Sequence, residues 1–175
     1  MKVGFDLDGV IIDHSAAKIS LVAGFGFKIE RKDTPSEIFK NILPRGIYKT
    51  VQKKLYDKIN SRSFLTKGAE EIIEALQKNN VPYFLISRRR LPEVAVRLLK
   101  KKGFWPKYFN ETNSFFVLEK EDKDKKAREL GVSHYFDDEI GVLEKLKSVN
   151  KKFLFDRYNV FPKRDFYTKV ASWED

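Results

Sequence analysis

Residues 3–13 read VGFDLDGVIID: an apolar, strand-forming run broken by two carboxylates, Asp6 and Asp8, and then by Gly9. Successive side chains of a strand point to opposite faces, so Asp6 and Asp8 project to the same side. Gly9 lets the backbone turn sharply where the strand ends. An ionised carboxylate removed from water costs several kcal/mol unless it is partnered. Two of them at the end of a buried strand therefore call for a cation.

Four further apolar runs read as strands: PYFLIS ending at Ser87, SFFVL near 116, HYFDD ending at Asp138 and KKFLFD ending at Asp156. Residues 68–80, 91–103, 122–131 and 140–150 carry apolar residues every third or fourth position, the spacing of helices that pack on a sheet. Gly103 and Gly131 stand where such helices end. Alternation of strand and helix predicts an α/β fold, a doubly wound, Rossmann-like parallel sheet of about five strands.

One insertion breaks the rhythm. Residues 14–66 are too long for a loop between two elements and are predicted to form a small helical cap, leaving 1–13 and 67–175 as the α/β core. In the cap, Thr34, Pro35 and Glu37 read as a capping box with proline at the first helical position, and Pro44 stops that helix. Ile47, Val51, Leu55, Tyr56 and Ile59 share a helical face, so three helices are expected to pack together, with Phe25, Phe27, Phe39 and Tyr48 as their core or as a platform for a base.

Ligands of open α/β sheets bind beyond the carboxyl ends of the strands. There the second run delivers Ser87, and YFDD delivers Asp137 and Asp138. Carboxylates gathered in one pocket repel one another unless a hard cation with oxygen ligands, such as Mg²⁺, sits among them.

The ordered set of motifs, DLDGV, the strand-terminal Ser87, a lysine within EKEDKDKKARELG and FDDE, resembles that of the haloacid dehalogenase superfamily of phosphatases over residues 3–140. The insertion after the first motif is similar to the helical cap of that superfamily. The resemblance implies that Asp6 is the nucleophile and Asp8 the acid and base, with Ser87 bonding a phosphoryl oxygen. It implies a lysine that neutralises developing charge, for which Lys123 has the expected spacing and Lys125 and Lys126 are the alternatives. Mg²⁺ would be held by Asp6, the backbone carbonyl of Asp8 and one of the acidic pair, with Asp138 as the direct ligand and Asp137 behind it. Gly9, Arg88 and Arg89 are expected to line the substrate site, the arginines as partners of the phosphate.

A second likeness, to the 5′(3′)-deoxyribonucleotidase group, rests on Asp156, Tyr158, Asn159 and Trp173. It implies a nucleotidase-like phosphatase of small phosphorylated metabolites.

Composition sets the remaining limits. In 175 residues there is no cysteine, which excludes disulfides and thiolate chemistry and points to a reducing compartment. No apolar stretch approaches the ~20 residues of a membrane span, and Asp6 and Asp8 interrupt the amino-terminal run that a signal peptide would need. The expected location is cytoplasmic. A formal charge of +10 favours an anionic partner, a small phosphorylated substrate in the first instance. The alternatives are a nucleic-acid end (3′-) phosphatase, for which KKKGFWPKYF offers Phe104, Trp105 and Tyr108 as a stacking platform, and a non-catalytic phosphate-binding module.

Overall fold

The computed structural model describes residues 1–174. Its frame is a six-stranded parallel sheet. The strands are β1 (Val3–Phe5), β4 (Tyr83–Arg88), β5 (Ser114–Val117), β6 (His134–Asp137), β7 (Lys151–Phe155) and β8 (Thr168–Val170). In space they run β5-β4-β1-β6-β7-β8, one more than the about five expected. The sixth, β8, pairs with β7 through Phe153–Thr168 and Phe155–Val170. It had no signal of its own, because TKV is short and only half-buried at the sheet edge.

From β1 the chain builds to one side through β4 and β5, then returns to the other side through β6, β7 and β8. The carboxyl end of β1 is therefore the point where the direction of winding reverses, the place where such sheets leave a crevice. Flanking helices are α4 (Ala69–Lys78), α5 (Pro92–Lys101) and α6 (Lys120–Leu130), close to their predicted spans. Gly131 closes α6 in the left-handed region at φ 70°.

The helix predicted over 140–150 shrinks to one turn, α7 (Ile140–Leu143). Val142, Leu146 and Val149 are buried as their spacing suggested. However, the Asp124 carboxylate accepts the backbone N–H of Ser148 at 2.7 Å and its hydroxyl at 2.8 Å, taking a donor that a continuing helix would need.

Phe5, Leu7 and Leu85 are fully buried at the centre. The rings of Phe5, Phe136 and Phe153 stack across β1, β6 and β7 at 5.5 and 4.5 Å. Trp173 packs on Phe5, Phe136 and Phe155, so this late tryptophan belongs to the core. Phe104 and Tyr108, each 1% exposed, also lie in the main core, and Trp105 packs against it. The stacking platform expected for nucleic acid is thus not on the surface: the lysines of that segment stay in water while its aromatic rings are withdrawn from it.

Residues 14–63 hold α1 (Ser15–Ala23), α2 (Ser36–Ile42) and α3 (Arg45–Tyr56) around a small core of Val22, Phe39, Leu43 and Val51. Helices this short are marginal alone, and each fully buried large apolar side chain contributes about 1.5–3 kcal/mol. Phe39 is fully buried and Phe27 and Tyr48 pack against it, so these rings form the lobe's core; Phe25 lies at the surface under Lys54.

The expected capping box is displaced. Helix α2 begins after Pro35 without a side-chain cap, and the reciprocal box lies between Glu30 and Asp33. The Thr34 hydroxyl donates to the Arg31 carbonyl at 2.6 Å, and Glu37 accepts the Gly141 N–H of the sheet domain at 2.9 Å. Tyr56 and Ile59 also leave the lobe's own packing: Ile59 joins the main core and Tyr56 faces the site. The chain enters and leaves the lobe through a two-stranded antiparallel ribbon, β2 (Ile12–Asp13) against β3 (Phe64–Leu65). No described helix is long and apolar enough to cross a membrane.

Candidate active site

The site grows out of the residues just beyond β1. The Asp6 N–H donates to the Phe136 carbonyl at 2.9 Å, which extends the β1–β6 register and sets Asp6 beside Asp137. The chain then folds back tightly, with the N–H groups of Ile11 and Ile12 both donating to the Leu7 carbonyl. Gly9 sits in this turn at φ +88°, and a Cβ there would overlap the Asp138 carboxylate. Gly9→Ala is accordingly expected to cost about 1–3 kcal/mol of stability through left-handed strain and overpacking. A denaturant midpoint equal to the parent's would contradict that packing.

Asp6, Asp137 and Asp138 are all buried, with carboxylate oxygens within 4.8 Å of one another. The Lys123 ammonium, 2% exposed, donates to Asp6 Oδ1 and Asp137 Oδ2, both at 2.7 Å. The other oxygens of these two acids accept backbone N–H groups, Asp6 Oδ2 from Asp8 and Asp137 Oδ1 from Glu139, each at 3.0 Å. Asp138 accepts no hydrogen bond among the described residues, so of these three acids it has both oxygens free to accept.

Burial, only partly offset by Lys123, pushes Asp137 up to about 7. Burial and the charges of Asp137, Glu139 and Asp6 hold Asp138 well above the carboxylate range. Desolvation works against the charge of Lys123, but Asp137 and Asp6 outweigh it and keep the ammonium firmly protonated. Of the candidate lysines only Lys123 reaches the acids; Lys125 and Lys126 are paired with Asp122 and Glu129 on the outer face of α6.

Ser87, near the end of β4, is 1% exposed and its Oγ has no hydrogen-bond partner among the described residues. A buried unsatisfied hydroxyl costs about 1–3 kcal/mol, which a ligand oxygen would recover. The two arginines that follow it separate. Arg88 is exposed at the rim, 4.0 Å from Glu139, whereas Arg89 is buried and reaches Asp8 Oδ1 at 2.5 Å. The Arg89 guanidinium lies 4.4 Å over the Tyr56 ring of the helical lobe, and its Nε has no partner among the described residues.

Asp8 has two cationic or donor neighbours on one oxygen. His14 Nε2 lies 2.6 Å from the same Oδ1 that Arg89 contacts. Burial raises the Asp8 carboxyl, but Arg89 and His14 outweigh it and bring the group to about 2. Burial also holds the His14 imidazole below its ordinary value despite Asp8.

His14, Lys18, Ser63 and Tyr56 were not identified as site residues from the sequence. The available signal was slight: His14 is one of two histidines in the chain and closes the apolar run after Asp8. Lys18, 5% exposed and one turn further along α1, donates to the Thr34 carbonyl at 2.7 Å. A hydroxyl chain runs from Tyr158 through Ser15 and Thr34 to the Arg31 carbonyl, and Arg157 pairs with Asp13 through two nitrogens at 2.8 Å. Of the four residues behind the deoxyribonucleotidase likeness, Tyr158 lines the pocket. Asp156 instead holds the loop after β7, accepting the N–H groups of Val160 and Phe161 at 3.0 Å, and Asn159 occupies the left-handed region at φ 52°.

These groups enclose a cavity of about 30 Å³ between lobe and sheet, lined by Asp8, Gly9, His14, Lys18, Tyr56 and Asp138 among others. That is room for one or two waters.

No family model matches the chain. It is 26% identical to a nucleotidase of Clostridium acetobutylicum over an alignment that covers all of this chain and 91% of that protein. Among solved structures it resembles a HAD-superfamily hydrolase of Ehrlichia chaffeensis, with a TM-score of 0.63 and 13% identity over 99% of this chain and 92% of that one. It also resembles a haloacid dehalogenase-like protein of Agrobacterium tumefaciens, at 0.64 and 14% over 99% and 94%. A third is a HAD hydrolase of Entamoeba histolytica, at 0.61 and 17% over 99% and 93%.

Proposed function

We propose that this chain, whose fold is that of the haloacid dehalogenase superfamily hydrolases, is a Mg²⁺-dependent phosphomonoester hydrolase of small phosphorylated metabolites, with nucleoside monophosphates as its leading substrates. The observation that carries the reading is the set of groups at the carboxyl ends of neighbouring strands: a lysine-held Asp6, an acid–base candidate Asp8 and a buried Ser87 hydroxyl with no partner among the described residues. The nucleotidase of Clostridium acetobutylicum supports the substrate class.

The chemistry follows from these groups. A carboxylate oxygen of Asp6 attacks phosphorus as the bond to the leaving oxygen breaks, and Asp8 supplies that oxygen's proton. The resulting aspartyl-phosphate is then opened by water, whose proton returns to Asp8 as its oxygen bonds phosphorus and the Asp6–phosphorus bond breaks. Ser87 and Arg89 receive the phosphoryl oxygens, and Lys123, hydrogen-bonded to Asp6, neutralises charge that builds up beside it. A phosphoryl dianion beside Ser87 competes with Asp8 for Arg89. Drawing the guanidinium away removes the cation that holds Asp8 ionised, at the moment an acid is needed.

The donor set suits a hard cation, since it consists of carboxylates alone. Asp6, Asp138 and the Asp8 carbonyl would hold Mg²⁺, with Asp137 orienting the site through Lys123. When bound, the ion supplies charge that lets the acids and a phosphoryl group share one pocket.

The test is phosphate release with Mg²⁺ across nucleoside monophosphates, sugar phosphates and 3′- and 5′-phosphorylated oligonucleotides. Preference for mononucleotides is expected. Preference for oligonucleotides would establish the end-phosphatase reading, and binding without turnover would leave a phosphate-binding module.

The metal has its own signature. Asp137 has a folded pKa of about 7 against an ordinary 3.8, so its contribution to stability is present at low pH and is lost as pH rises through about 7. A cation should reverse that loss. At about 100 times its Kd, Mg²⁺ adds about 2.7 kcal/mol, or roughly 5–10 °C in Tm for a chain of this size. The gain is expected to be larger at pH 8 than at pH 5.5, where bound protons compete. Equal gains at both values in thermal melts would place the ion elsewhere.

A further inference from the structure

His14 and Ser63 are 49 positions apart, yet each adjoins one strand of the ribbon that carries the chain into and out of the helical lobe. Pairing of β2 with β3 sets them side by side directly behind Asp8. His14 is 4% exposed and Ser63 fully buried, so neither contact exchanges with solvent. His14 Nδ1 lies 2.7 Å from Ser63 Oγ and Nε2 lies 2.6 Å from Asp8 Oδ1, and the ring edge is braced by Tyr56 at 5.6 Å.

The donors and acceptors of this chain have one consistent arrangement for a neutral ring. An ionised carboxylate only accepts, so Nε2 carries the hydrogen; Nδ1 then presents a lone pair, and Ser63 donates its hydroxyl to it. Without Ser63 the hydrogen could move to Nδ1, leaving an Nε2 lone pair facing the Asp8 oxygen. Both His14 and Arg89 contact Oδ1, which leaves Oδ2 as the oxygen open to the pocket. The Nε2–H bond suits both states of Asp8: Oδ1 accepts it as a carboxylate oxygen or as the carbonyl of the protonated acid. His14 need not change its own protonation.

We propose that His14 is a positioning residue for Asp8, with its tautomer set by Ser63, and that it holds the carboxyl group so that Oδ2 alone exchanges the proton with the leaving oxygen and the attacking water. This rests on the assignment of Asp8 as acid and base. In the first step the Oδ2 proton passes to the leaving oxygen while the Asp6–phosphorus bond forms. In the second, Oδ2 takes a proton from water while that bond breaks. Arg89 can turn to the phosphate during this cycle, whereas His14, anchored behind the ribbon, cannot follow it.

The experiment compares single-turnover release of the leaving group from p-nitrophenyl phosphate, whose phenolate departs without a proton, with release from a nucleoside monophosphate, whose alkoxide needs one. The variants are His14→Ala, His14→Gln, Ser63→Ala and, as benchmark, Asp8→Asn, each with a thermal melt to confirm folding. His14→Ala is expected to slow release from the nucleotide about 100-fold, within the range of general acid catalysis, with KM changed less than about 3-fold. Release of nitrophenolate should fall less than about 3-fold, as only proton delivery is impaired. The side-chain amide of His14→Gln offers a donor to Asp8 and is expected to recover the nucleotide rate to within about 10-fold of the parent, and Ser63→Ala to show a smaller loss with the same substrate bias.

Equal losses on both substrates without recovery in His14→Gln, or no loss at all, would overturn the proposal and leave a structural tie between the two crossings. A parent protein silent on both substrates would overturn the phosphatase reading itself, and this inference with it. Substrate bias in the His14 variants but none in Asp8→Asn would refute the link between them.

Discussion

Asp6→Asn is expected to abolish Mg²⁺-dependent phosphate release, by at least about 10⁴-fold, because an amide oxygen cannot form the covalent intermediate and nothing nearby can replace it. The other acids of the pocket are committed. Asp137 is tied at both oxygens, Asp8 is held at Oδ1 by His14 and Arg89, and Asp138 lies in the position suited to a cation. The substitution is nearly isosteric, and the amide oxygen can still accept from Lys123 or from the Asp8 N–H. Asp137 still partners the Lys123 ammonium in the variant, so loss of turnover in a protein that still unfolds cooperatively in a thermal melt would separate a chemical role from a structural one. Residual activity above about a hundredth of the parent would assign the nucleophile elsewhere.

Lys123→Met is expected to have the largest effect on stability. The ammonium touches both Asp6 and Asp137, and methionine keeps the apolar stem while removing the charge. Removing one partner from a buried ionic cluster typically costs 3–5 kcal/mol, because the remaining charges are left uncompensated. For a chain of this size that corresponds to roughly 6–20 °C in Tm. Asp137, already raised to about 7 by burial with Lys123 in place, would rise further in the variant. A raised carboxyl pKa means stability held at low pH and lost as pH increases, so the deficit should be smaller at pH 5 than at pH 8. Turnover should fall about 10²–10³-fold, the usual effect of losing one electrostatic stabiliser. A melt within about 2 °C of the parent at both pH values would show that the Lys123 contacts carry little of the fold's energy.

Much of the site was legible because it is written locally. Asp6 and Asp8 sit two apart at the end of an apolar strand, and period-two geometry places both on one side. Ser87 and the pair Asp137–Asp138 end their own apolar runs, and an open parallel sheet brings such ends together. Lys123 was singled out, ahead of Lys125 and Lys126, by the resemblance to the haloacid dehalogenase superfamily, whose lysine is expected at this spacing before a Leu-Gly, here 130–131. In the structure it is the lysine of its helix that turns inward to the acids, while Lys125 and Lys126 point to the outer face.

What the local pattern could not carry was which distant partner a given side chain or backbone group meets. Thr34, Pro35 and Glu37 make a sound capping box on local grounds, yet Glu37 binds the Gly141 N–H of the sheet domain instead. Phe104 and Tyr108, set among lysines, suggest an exposed platform, yet both rings are core. Leu146 and Val149 have helical spacing, yet Asp124 intercepts the Ser148 N–H that would continue the helix.

Local pattern alone was enough to read the alternation of strands and helices, the long insertion after the first strand and the placing of Asp6, Asp8, Ser87, Asp137 and Asp138 at the ends of apolar runs. Periodicity, strand ends and glycine turns are properties of a few neighbouring residues. Only the tertiary structure decided that Arg89 rather than Arg88 enters the site, that Asp8 is held at one oxygen, and that His14 meets Ser63 behind it. Those choices depend on the pairing of β2 with β3 and on the seating of the lobe over the sheet. No local pattern encodes them, because the contacts that select them include His14 with Ser63, 49 positions apart, and Arg89 with Asp8, 81 positions apart.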